Sequence, residues 1–236
     1  MMVRDGSTGV EVAMLRRSLT ASFVGGAHVF PGGAVDPHDG SDAMAERCRG
    51  ADDTSLSRLL SVGAGGLAFW VAAVRESFEE AGLLVAHDDA GRLVDLRPPA
   101  VAQRFVVHRG DVHSGRRLFA DVLTEEGLYL RLDQIFSWSH WVTPIGSPRR
   151  FDTRFFVCAA PDGQEPLHDE RETIASVWLS AADALQRFRD GTINLITPTI
   201  KSLEAIGHFP TVASLIDAAA PRAVPLVIPG LPLGER

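Results

Sequence analysis

Three glutamates, Glu76, Glu79 and Glu80, lie within five residues of one another in the segment 75–83. At the helical rotation of about 100° per residue, their carboxylates share one face of a helix. Like charges at this spacing destabilise an isolated helix, so we expect a partner that offsets the repulsion. Ligands that are all oxygen atoms favour a hard cation, Mg²⁺ or Mn²⁺. A solvated acidic face is the alternative explanation, but the apolar flanks and the adjacent Arg75 favour a metal site.

The helix that carries these glutamates is predicted to span 67–81, because its other face is apolar as burial requires. The residues at core spacing on that face are Leu67, Val71, Val74 and Phe78. Gly82 is the residue type that commonly ends a helix in the left-handed conformation. The apolar run at 83–85 then predicts a strand. Upstream, Pro31, Gly32 and Gly33 predict a turn directly after a short strand at 27–30.

Together these segments resemble the Nudix box, G-x5-E-x7-R-E-U-x-E-E-x-G-U, where U is an apolar residue. The glycines after Phe30 open the pattern, and the segment 75–83 matches its second half except at Ser77, which replaces an apolar residue. Asp39 stands where the box has its first glutamate, and far more than seven residues separate it from Arg75. The excess predicts an insertion inside the box at about residues 40–66.

An interrupted box of this kind is similar to that of a branch of coenzyme A diphosphatases. The resemblance continues in four further blocks, at 15–18, 27–33, 141–144 and 149–156. It implies a Nudix fold, a mixed β-sheet sandwiched between helices, with a loop–helix–loop that holds Mg²⁺ or Mn²⁺. It also implies that Glu79 and Glu80 bind the metal, and that Glu76 is a further ligand or the base. Arg75 would orient the glutamates, and the carbonyl of Gly32 would be an additional ligand.

A general base often comes from a loop outside the box in this superfamily. Glu165, Glu170 and Glu172 all lie between two predicted strands that end near 159 and 178. The spacing of Glu172 to Trp178 is most similar to that of the branch, and Glu170 is the second choice. Solvated loop charges are the alternative interpretation of all three.

Arg17, Ser18 and Gly33 are candidate substrate-binding residues. They resemble a motif of coenzyme A pyrophosphatases, in which Arg-Ser precedes Phe-Pro-Gly-Gly at the spacing found here. The intervening Arg and His of that motif are missing, so a coenzyme A substrate is suggested by only part of the motif. A surface charge at the end of a strand is the alternative interpretation of Arg17.

Trp141, Arg149 and Arg150 are the other candidates for substrate contact. The indole of Trp141 offers a surface on which a base can stack, and the two guanidinium groups suit phosphate oxygens. A core position for the tryptophan and solvated charges for the arginines are the alternatives.

Helices and strands interleave along the chain, which predicts an α/β (α+β) fold class. We expect a single Nudix hydrolase domain over 1–236, with a helical insert at about 98–130 and a helical C-terminal extension at about 191–220. Aromatic and branched residues predict strands at 136–142, 151–159 and 174–179. Ser180 is placed to cap a helix at 181–189.

The 236 residues include 23 basic and 30 acidic side chains, for a net charge of −7. An acidic chain is not expected to bind nucleic acid or an anionic membrane, although a bound cation would still attract a polyanionic small molecule. Cys48 and Cys158 fit neither a disulfide framework nor a zinc spacing. No apolar run reaches the length of a membrane span, and the expected location is cytoplasmic. A homodimer is common in the superfamily.

The leading hypothesis is metal-dependent hydrolysis of the diphosphate linkage in a nucleoside diphosphate derivative. Coenzyme A or an acyl-CoA is the first-choice substrate, followed by ADP-ribose, NADH or a nucleotide sugar. The alternative is a ligand-sensing Nudix domain that does not hydrolyse its ligand, which Asp39 and the insertion keep open. A calcium-stabilised structural domain is a third hypothesis, although three helical glutamates lack the looped ligand geometry of calcium sites.

Overall fold

The computed structural model describes residues 1–19, 24–147, 149–168, 173–219 and 223–230. The strands in these ranges are β1 (Met2–Gly6), β2 (Gly9–Arg17), β3 (His28–Val29), β4 (Cys48–Arg49), β5 (Leu130–Arg131), β6 (Phe136–Val142), β7 (Asp152–Ala159), β8 (Thr173–Ser180) and β9 (Leu226–Val227). The helices are α1 (Asp42–Ala45), α2 (Asp53–Leu60), α3 (Gly66–Ala81), α4 (Pro99–His113), α5 (Phe119–Glu125), α6 (Ala181–Arg189), α7 (Thr197–Ile206) and α8 (Val212–Ala218). Short 3-10 helices lie at Pro37–Gly40 and Leu132–Gln134.

The main sheet is mixed. Its strand order is β3-β2-β1-β7-β6-β9, and β8 pairs with β2. The pairs β1–β7 and β6–β9 are parallel, whereas β2 runs antiparallel to β1, β3 and β8. A separate parallel pair joins β4 to β5 and so ties the in-box insertion to the chain that follows α5. This arrangement confirms the predicted α/β (α+β) class.

Helices cover both faces of the sheet. Successive side chains of β2 pack alternately into two different apolar clusters. Ala13 and Leu15 belong to the apolar cluster that contains α3 and α5, whereas Val12 and Met14 belong to the cluster that contains α6 and α7. Successive side chains of a strand point to opposite faces, so the helices form a layer on each side. The helix with the three glutamates therefore packs on one face, and the C-terminal helices pack on the other.

The in-box insertion positions the start of α3. The carboxylate of Asp53 on α2 accepts hydrogen bonds from the backbone N–H groups of Gly65, at 3.0 Å, and Leu67, at 2.9 Å. These N–H groups lie at the start of α3, where backbone donors have no acceptor within the helix. The N-cap residue of α3 forms no side-chain hydrogen bond to them. Gly66 also lies so close to α2 that an added Cβ would approach the backbone N of Ser57 to 2.3 Å. The insertion thus caps and contacts the helix that follows it in the sequence.

The helix predicted at 67–81 and the helix capped by Ser180 are confirmed, and α3 ends at Gly82 with φ +68°. The strand predicted at 83–85 is wrong. Leu84 is buried, but its backbone N–H and C=O bond to the side-chain amide of Gln164, at 2.8 and 3.2 Å, rather than to a neighbouring strand. Burial alone explains this apolar run, because the side chain of Gln164 replaces the strand partner that a sheet would have supplied.

Within the described ranges, no helix combines the length and the apolar content that crossing a bilayer requires.

Cys48 and Cys158 are free thiols. Burial raises the pKa of the Cys48 thiol to about 12. Because alkylating reagents attack the thiolate, we expect Cys48 at pH 8 to react about 10³-fold more slowly in the folded protein than in urea. Peptide mapping after timed alkylation measures this ratio, and rapid labelling of Cys48 in the folded protein would contradict the prediction.

Candidate active site

The loop after β3 meets α3 at two of its glutamates. The backbone N–H of Gly32 donates to Oε2 of Glu80 at 2.9 Å. Gly33 lies against Glu76, because a Cβ added at Gly33 would stand 2.5 Å from the carboxylate atoms of that residue. A side chain at position 33 would therefore push the loop off the helix. Gly33 is therefore needed for close approach between the two segments, whereas a Cβ at Gly32 would meet no atom within 4 Å.

Arg75 connects the acidic groups on α3. Its Nη1 donates to Oε1 of Glu76 at 2.9 Å and to Oε1 of Glu79 at 2.8 Å. Its Nη2 also donates to the carbonyl of Ala34 at 2.8 Å, which ties the same guanidinium to the loop after Gly33. The planar fork of arginine suits this role because it presents several donors in fixed directions. The orienting function of Arg75 stays a prediction, and these bonds are the contacts through which it would act.

Asp39 is the third carboxylate that accepts hydrogen bonds from the guanidinium of Arg75. Its Oδ1 and Oδ2 accept from Nε and Nη2 of Arg75 at 2.8 and 2.9 Å, and its side chain is 2% exposed. Oδ2 also accepts from the backbone N–H of Asp36, which caps the 3-10 helix at Pro37–Gly40. The residue that departs from the box is therefore a buried carboxylate that forms a bidentate pair with Arg75. The sequence marked this position only as a substitution.

The site holds more negative than positive charge. Asp39, Glu79 and Glu80 are buried and Glu76 nearly so, with Arg75 as the guanidinium among them. Burial raises the pKa of Glu76 to about 6, although the charge of Arg75 and its hydrogen bond oppose the shift. Burial alone would lower the pKa of Arg75, but its bonds to Asp39 and Glu79 outweigh this and raise it. The single guanidinium of Arg75 thus bonds to three carboxylates, those of Asp39, Glu76 and Glu79, and offsets their charge only in part.

This excess of buried carboxylate fits a divalent cation. Oxygen donors are the ligands that Mg²⁺ and Mn²⁺ prefer, and an added double positive charge would offset the repulsion that Arg75 leaves. The ligand atoms of the three glutamates do not lie within 4.8 Å of one another, since Glu80 turns to Gly32 and Glu79 turns to Arg75. A shared ion therefore requires rotation of these side chains.

Among the described residues, one group of three potential metal-binding side chains does have its ligand atoms within 4.8 Å of one another. These side chains are His108, Glu125 and Glu126. This cluster is already paired with cations. Arg104 donates to both oxygens of Glu126, and Arg117 bonds to Glu125. Burying a metal beside two arginines is unfavourable, so the cluster is best described as an ion-pair network that joins α4 to α5.

The C-terminal end of α3 is held by Arg109, which sequence reasoning missed. Its Nε donates to the carbonyl of Glu79 at 2.8 Å and its Nη2 to that of Glu80 at 2.9 Å. No residue in the last turn of α3 is basic, so this arginine of α4 also supplies the positive charge that a helix C-terminus favours. One turn further along α4, Nδ1 of His113 lies 3.7 Å from Oε2 of Glu79. Neither residue belongs to the box, and no local pattern marked them.

Replacing Arg109 by glutamine should destabilise the site. Two carbonyls at the buried end of α3 would lose their donors, and we expect the free energy of unfolding to fall by about 2–4 kcal/mol. Urea denaturation measures this change. Arg104→Gln on the same helix is the matched control, because it breaks an ion pair with Glu126 whose arginine is exposed and screened by solvent, and the loss of stability should be smaller. Equal losses in the two variants would contradict a specific role of Arg109.

The predicted general bases are only partly described. Glu170 and Glu172 lie outside the described residues. Glu165 is described, and its two oxygens accept from Nη1 of Arg4 and Nε1 of Trp178, both at 2.8 Å. These bonds tie Glu165 to β1 and β8, which gives it a structural role. The choice of Glu172 over Glu170 stays a prediction.

The predicted substrate-binding residues do not share one location. Trp141 lines a cavity of about 370 Å³, whereas Arg150 lines a different cavity of about 580 Å³. Arg149 is exposed and lies over the ring of Phe151, 5.0 Å from its centroid. Arg17 ends β2, and its Nε is buried without a hydrogen-bond partner among the residues that the structure describes. Ser18, which follows Arg17, is half-buried.

Comparisons with known proteins agree on one family. The family described as the NUDT19 Nudix domain matches residues 51–206. An acyl-coenzyme A diphosphatase NUDT19 from Gallus gallus is 28% identical, over 93% of this chain and 67% of that protein. The Homo sapiens protein of the same name is also 28% identical, over 92% of this chain and 65% of that protein. The chain thus spans about two thirds of the length of these relatives.

A solved structure supports the same assignment. The crystal structure of a NUDIX hydrolase from Alicyclobacillus acidocaldarius superposes with a TM-score of 0.74 and is 32% identical. The match covers 93% of this chain and 94% of that one, so the likeness extends over the sheet and both helical layers.

Proposed function

The chain belongs to the Nudix hydrolases, in the family of the NUDT19 Nudix domain, and on that premise we propose that it hydrolyses the diphosphate linkage of acyl-coenzyme A. Most support comes from the carboxylates of Asp39, Glu76 and Glu79 at Arg75 and of Glu80 at Gly32, because a binding protein without catalysis has no need of them. Relatives from two vertebrates carry the name acyl-coenzyme A diphosphatase. Free coenzyme A is the next substrate in our proposal, followed by ADP-ribose, NADH and nucleotide sugars.

We propose Mg²⁺ or Mn²⁺ as the cofactor, held by Glu79 and Glu80 with the carbonyl of Gly32 and with Glu76 as a further ligand or as the base. When bound, such an ion neutralises the diphosphate, polarises the phosphorus and lowers the pKa of a bound water. The buried excess of carboxylate supports this assignment.

The protein's own groups prepare the site for attack by water on one phosphorus. Arg75 donates to one carboxylate oxygen of Glu76 and to one of Glu79. These bonds also limit where the second oxygen of each carboxylate can lie. The N–H of Gly32 fixes Glu80, and Arg109 holds the backbone of Glu79 and Glu80 from behind. Binding of a shared ion would turn the glutamate side chains away from these contacts, whereas Arg109 keeps the backbone of Glu79 and Glu80 in place, so that only side chains must be reordered.

A proton must leave the attacking water, and Glu76, Glu170 and Glu172 are the proposed acceptors. The pKa of Glu76, raised to about 6 by burial, lies near the range in which a general base works at neutral pH. For substrate contact we propose Arg17, Ser18, Gly33, Trp141, Arg149 and Arg150. The buried Nε of Arg17 supports its assignment, since it has no partner in the part of the chain that the structure describes.

A panel of diphosphate compounds tests the proposed reaction. Acyl-CoA, coenzyme A, ADP-ribose, NADH and UDP-glucose are incubated with Mn²⁺, with Mg²⁺ or with EDTA, and the products are identified by mass spectrometry. We expect cleavage of acyl-CoA between its two phosphorus atoms, with loss of activity in EDTA. Tight binding of a compound without turnover would instead favour the ligand-sensing alternative.

The remaining expectations form part of the same proposal. We propose a single domain over 1–236, a cytoplasmic location, and a small nucleoside diphosphate derivative as the partner rather than nucleic acid or membrane. The net charge of −7 supports the exclusion of polyanionic macromolecules. A homodimer is the proposed assembly, to be checked by light scattering.

A further inference from the structure

The cavity of about 580 Å³ is lined by residues of β6, β7 and β9 and by the segment that follows α2. Trp141 of β6 lines the other cavity, beside α7, whereas its neighbours His140 and Val142 line this one. Successive side chains of a strand point to opposite faces of the sheet. Val62, which also lines this cavity, packs against the apolar cluster that contains α3. The cavity of about 580 Å³ therefore lies on the same face of the sheet as α3.

Arg154 connects this cavity to α3. Its guanidinium carbon lies 5.2 Å from the ring centroid of Phe69, a residue of α3. Glu76 and Glu80 follow Phe69 by seven and eleven residues. At about 100° per residue, the three residues share one side of the helix, and Glu76 lies about 10 Å beyond Phe69. One extended ligand can therefore reach from the cavity to the carboxylates of α3.

Two arginines on the wall of the cavity give it positive charge. Nε of Arg150 donates to the carbonyl of Thr143 at 3.0 Å, and its two Nη groups have no hydrogen-bond partner among the described residues. Nη1 of Arg154 donates to the carbonyl of Leu60 at 3.2 Å, which fixes this guanidinium at the end of α2. Because both fixed bonds are to neutral carbonyls, they leave the charge of the two guanidinium groups without compensation.

Asp152 is the acidic residue of the described lining, and it is paired. Its Oδ1 lies 2.6 Å from Nε2 of His140, which is 7% exposed. The carboxylate is thus directed to the histidine of β6, and the two arginines outnumber it. A second cation would be repelled by two guanidinium groups, so the cavity favours an anion.

Phosphate is the anion that suits this lining best. The planar fork of arginine matches phosphate oxygens with two parallel hydrogen bonds. The volume lies within the range of small-molecule sites, and Val62, Val142 and Ile228 offer apolar surface to the rest of a nucleotide. Coenzyme A carries a phosphomonoester at the 3′ position of its ribose in addition to its diphosphate. ADP-ribose and NADH lack this group.

We propose that the cavity of about 580 Å³ binds a nucleotide phosphomonoester through Arg150 and Arg154. If the proposed function holds, on which this assignment to the substrate rests, the group is the 3′-phosphate of coenzyme A. The diphosphate of the same molecule then lies at the carboxylates of α3. The two arginines would give the protein its preference for coenzyme A derivatives over ADP-ribose and NADH.

Binding of adenosine 3′,5′-bisphosphate to the metal-free protein tests the proposal without turnover. We expect isothermal titration calorimetry to show about tenfold tighter binding of this compound than of AMP, because a charge-assisted hydrogen bond is gained. Arg150→Gln should abolish most of the preference. Arg154→Lys keeps the charge but loses the planar fork, so it should retain only part of the preference. Thermal melting checks that each variant is folded.

Arg58→Gln is the matched control. Arg58 is an exposed arginine of α2 that does not line the cavity, so its removal changes the net charge of the protein by the same amount as Arg150→Gln. The preference for adenosine 3′,5′-bisphosphate should be unchanged in this variant. Equal affinity of the wild type for the bisphosphate and AMP, or equal effects of Arg58→Gln and Arg150→Gln, would overturn the proposal. Inorganic phosphate that binds as tightly as the bisphosphate would show a site for the free anion instead and would also overturn it.

Turnover separates this proposal from the proposed function. If acyl-CoA is hydrolysed, Arg150→Gln should raise its KM about tenfold, with kcat and the KM for 3′-dephospho-acyl-CoA nearly unchanged. If no compound is hydrolysed but the bisphosphate binds with the expected pattern, the proposed function fails and the phosphate site stands. If acyl-CoA and its 3′-dephospho form are hydrolysed with equal KM, the phosphate site fails alone.

Discussion

Glu79→Gln and Glu80→Gln should each lower kcat for acyl-CoA hydrolysis about a thousandfold or more, equivalent to about 4 kcal/mol. Each substitution removes a charged oxygen donor from the proposed metal site and keeps the size of the side chain. The lost interaction acts where charge develops on the phosphorus, so kcat should fall rather than KM rise alone. Steady-state kinetics in Mn²⁺, together with Mn²⁺ binding measured by electron paramagnetic resonance, gives both quantities.

Glu125→Gln is the matched control for these variants. Glu125 belongs to the other cluster of potential ligands, on α5, where Arg117 already pairs with it. Turnover and Mn²⁺ affinity should be close to those of the wild type in this variant. A large loss of Mn²⁺ binding in Glu125→Gln, with little change in Glu79→Gln, would move the metal site away from α3.

Arg75→Gln should destabilise the metal-free protein by about 3–5 kcal/mol, because it leaves buried carboxylates without their counter-charge. Asp39 would lose both bonds of a bidentate pair, and Glu76 and Glu79 would each lose one. Urea denaturation in EDTA measures the loss. Added Mn²⁺ should restore part of the stability, since a bound cation replaces some of the missing positive charge.

The exposed pair of Arg116 with Asp111 supplies the comparison for Arg75. Arg116→Gln should change the free energy of unfolding by less than about 1 kcal/mol, as expected for a solvent-screened ion pair. If Arg75→Gln is no more destabilising than Arg116→Gln in EDTA, the charge balance that we describe around Arg75 is wrong.

Features that depend on neighbouring residues could be predicted without a structure. The apolar stripe, the acidic face and the ending of α3 at Gly82 follow from local periodicity and from the left-handed conformation that glycine allows. The cap at Ser180 is equally local, because its side chain bonds to a backbone N–H three residues later. The strand wrongly predicted at 83–85 shows the limit of this reasoning. The apolar residues at 83–85 correctly indicate burial. The backbone of Leu84, however, bonds to the side chain of Gln164, far along the chain, instead of to a neighbouring strand.

The sequence by itself marked the candidate site residues: the glutamates of α3, the adjacent Arg75, and Gly32 and Gly33. Helical periodicity and residue type suffice for this because they act over a few residues. Only the tertiary structure decided how these residues are held. It brought Asp39 onto Arg75, Asp53 onto the start of α3 and Arg109 onto its end. Contacts between groups so far apart along the chain depend on how the helices pack, and no local pattern encodes that packing.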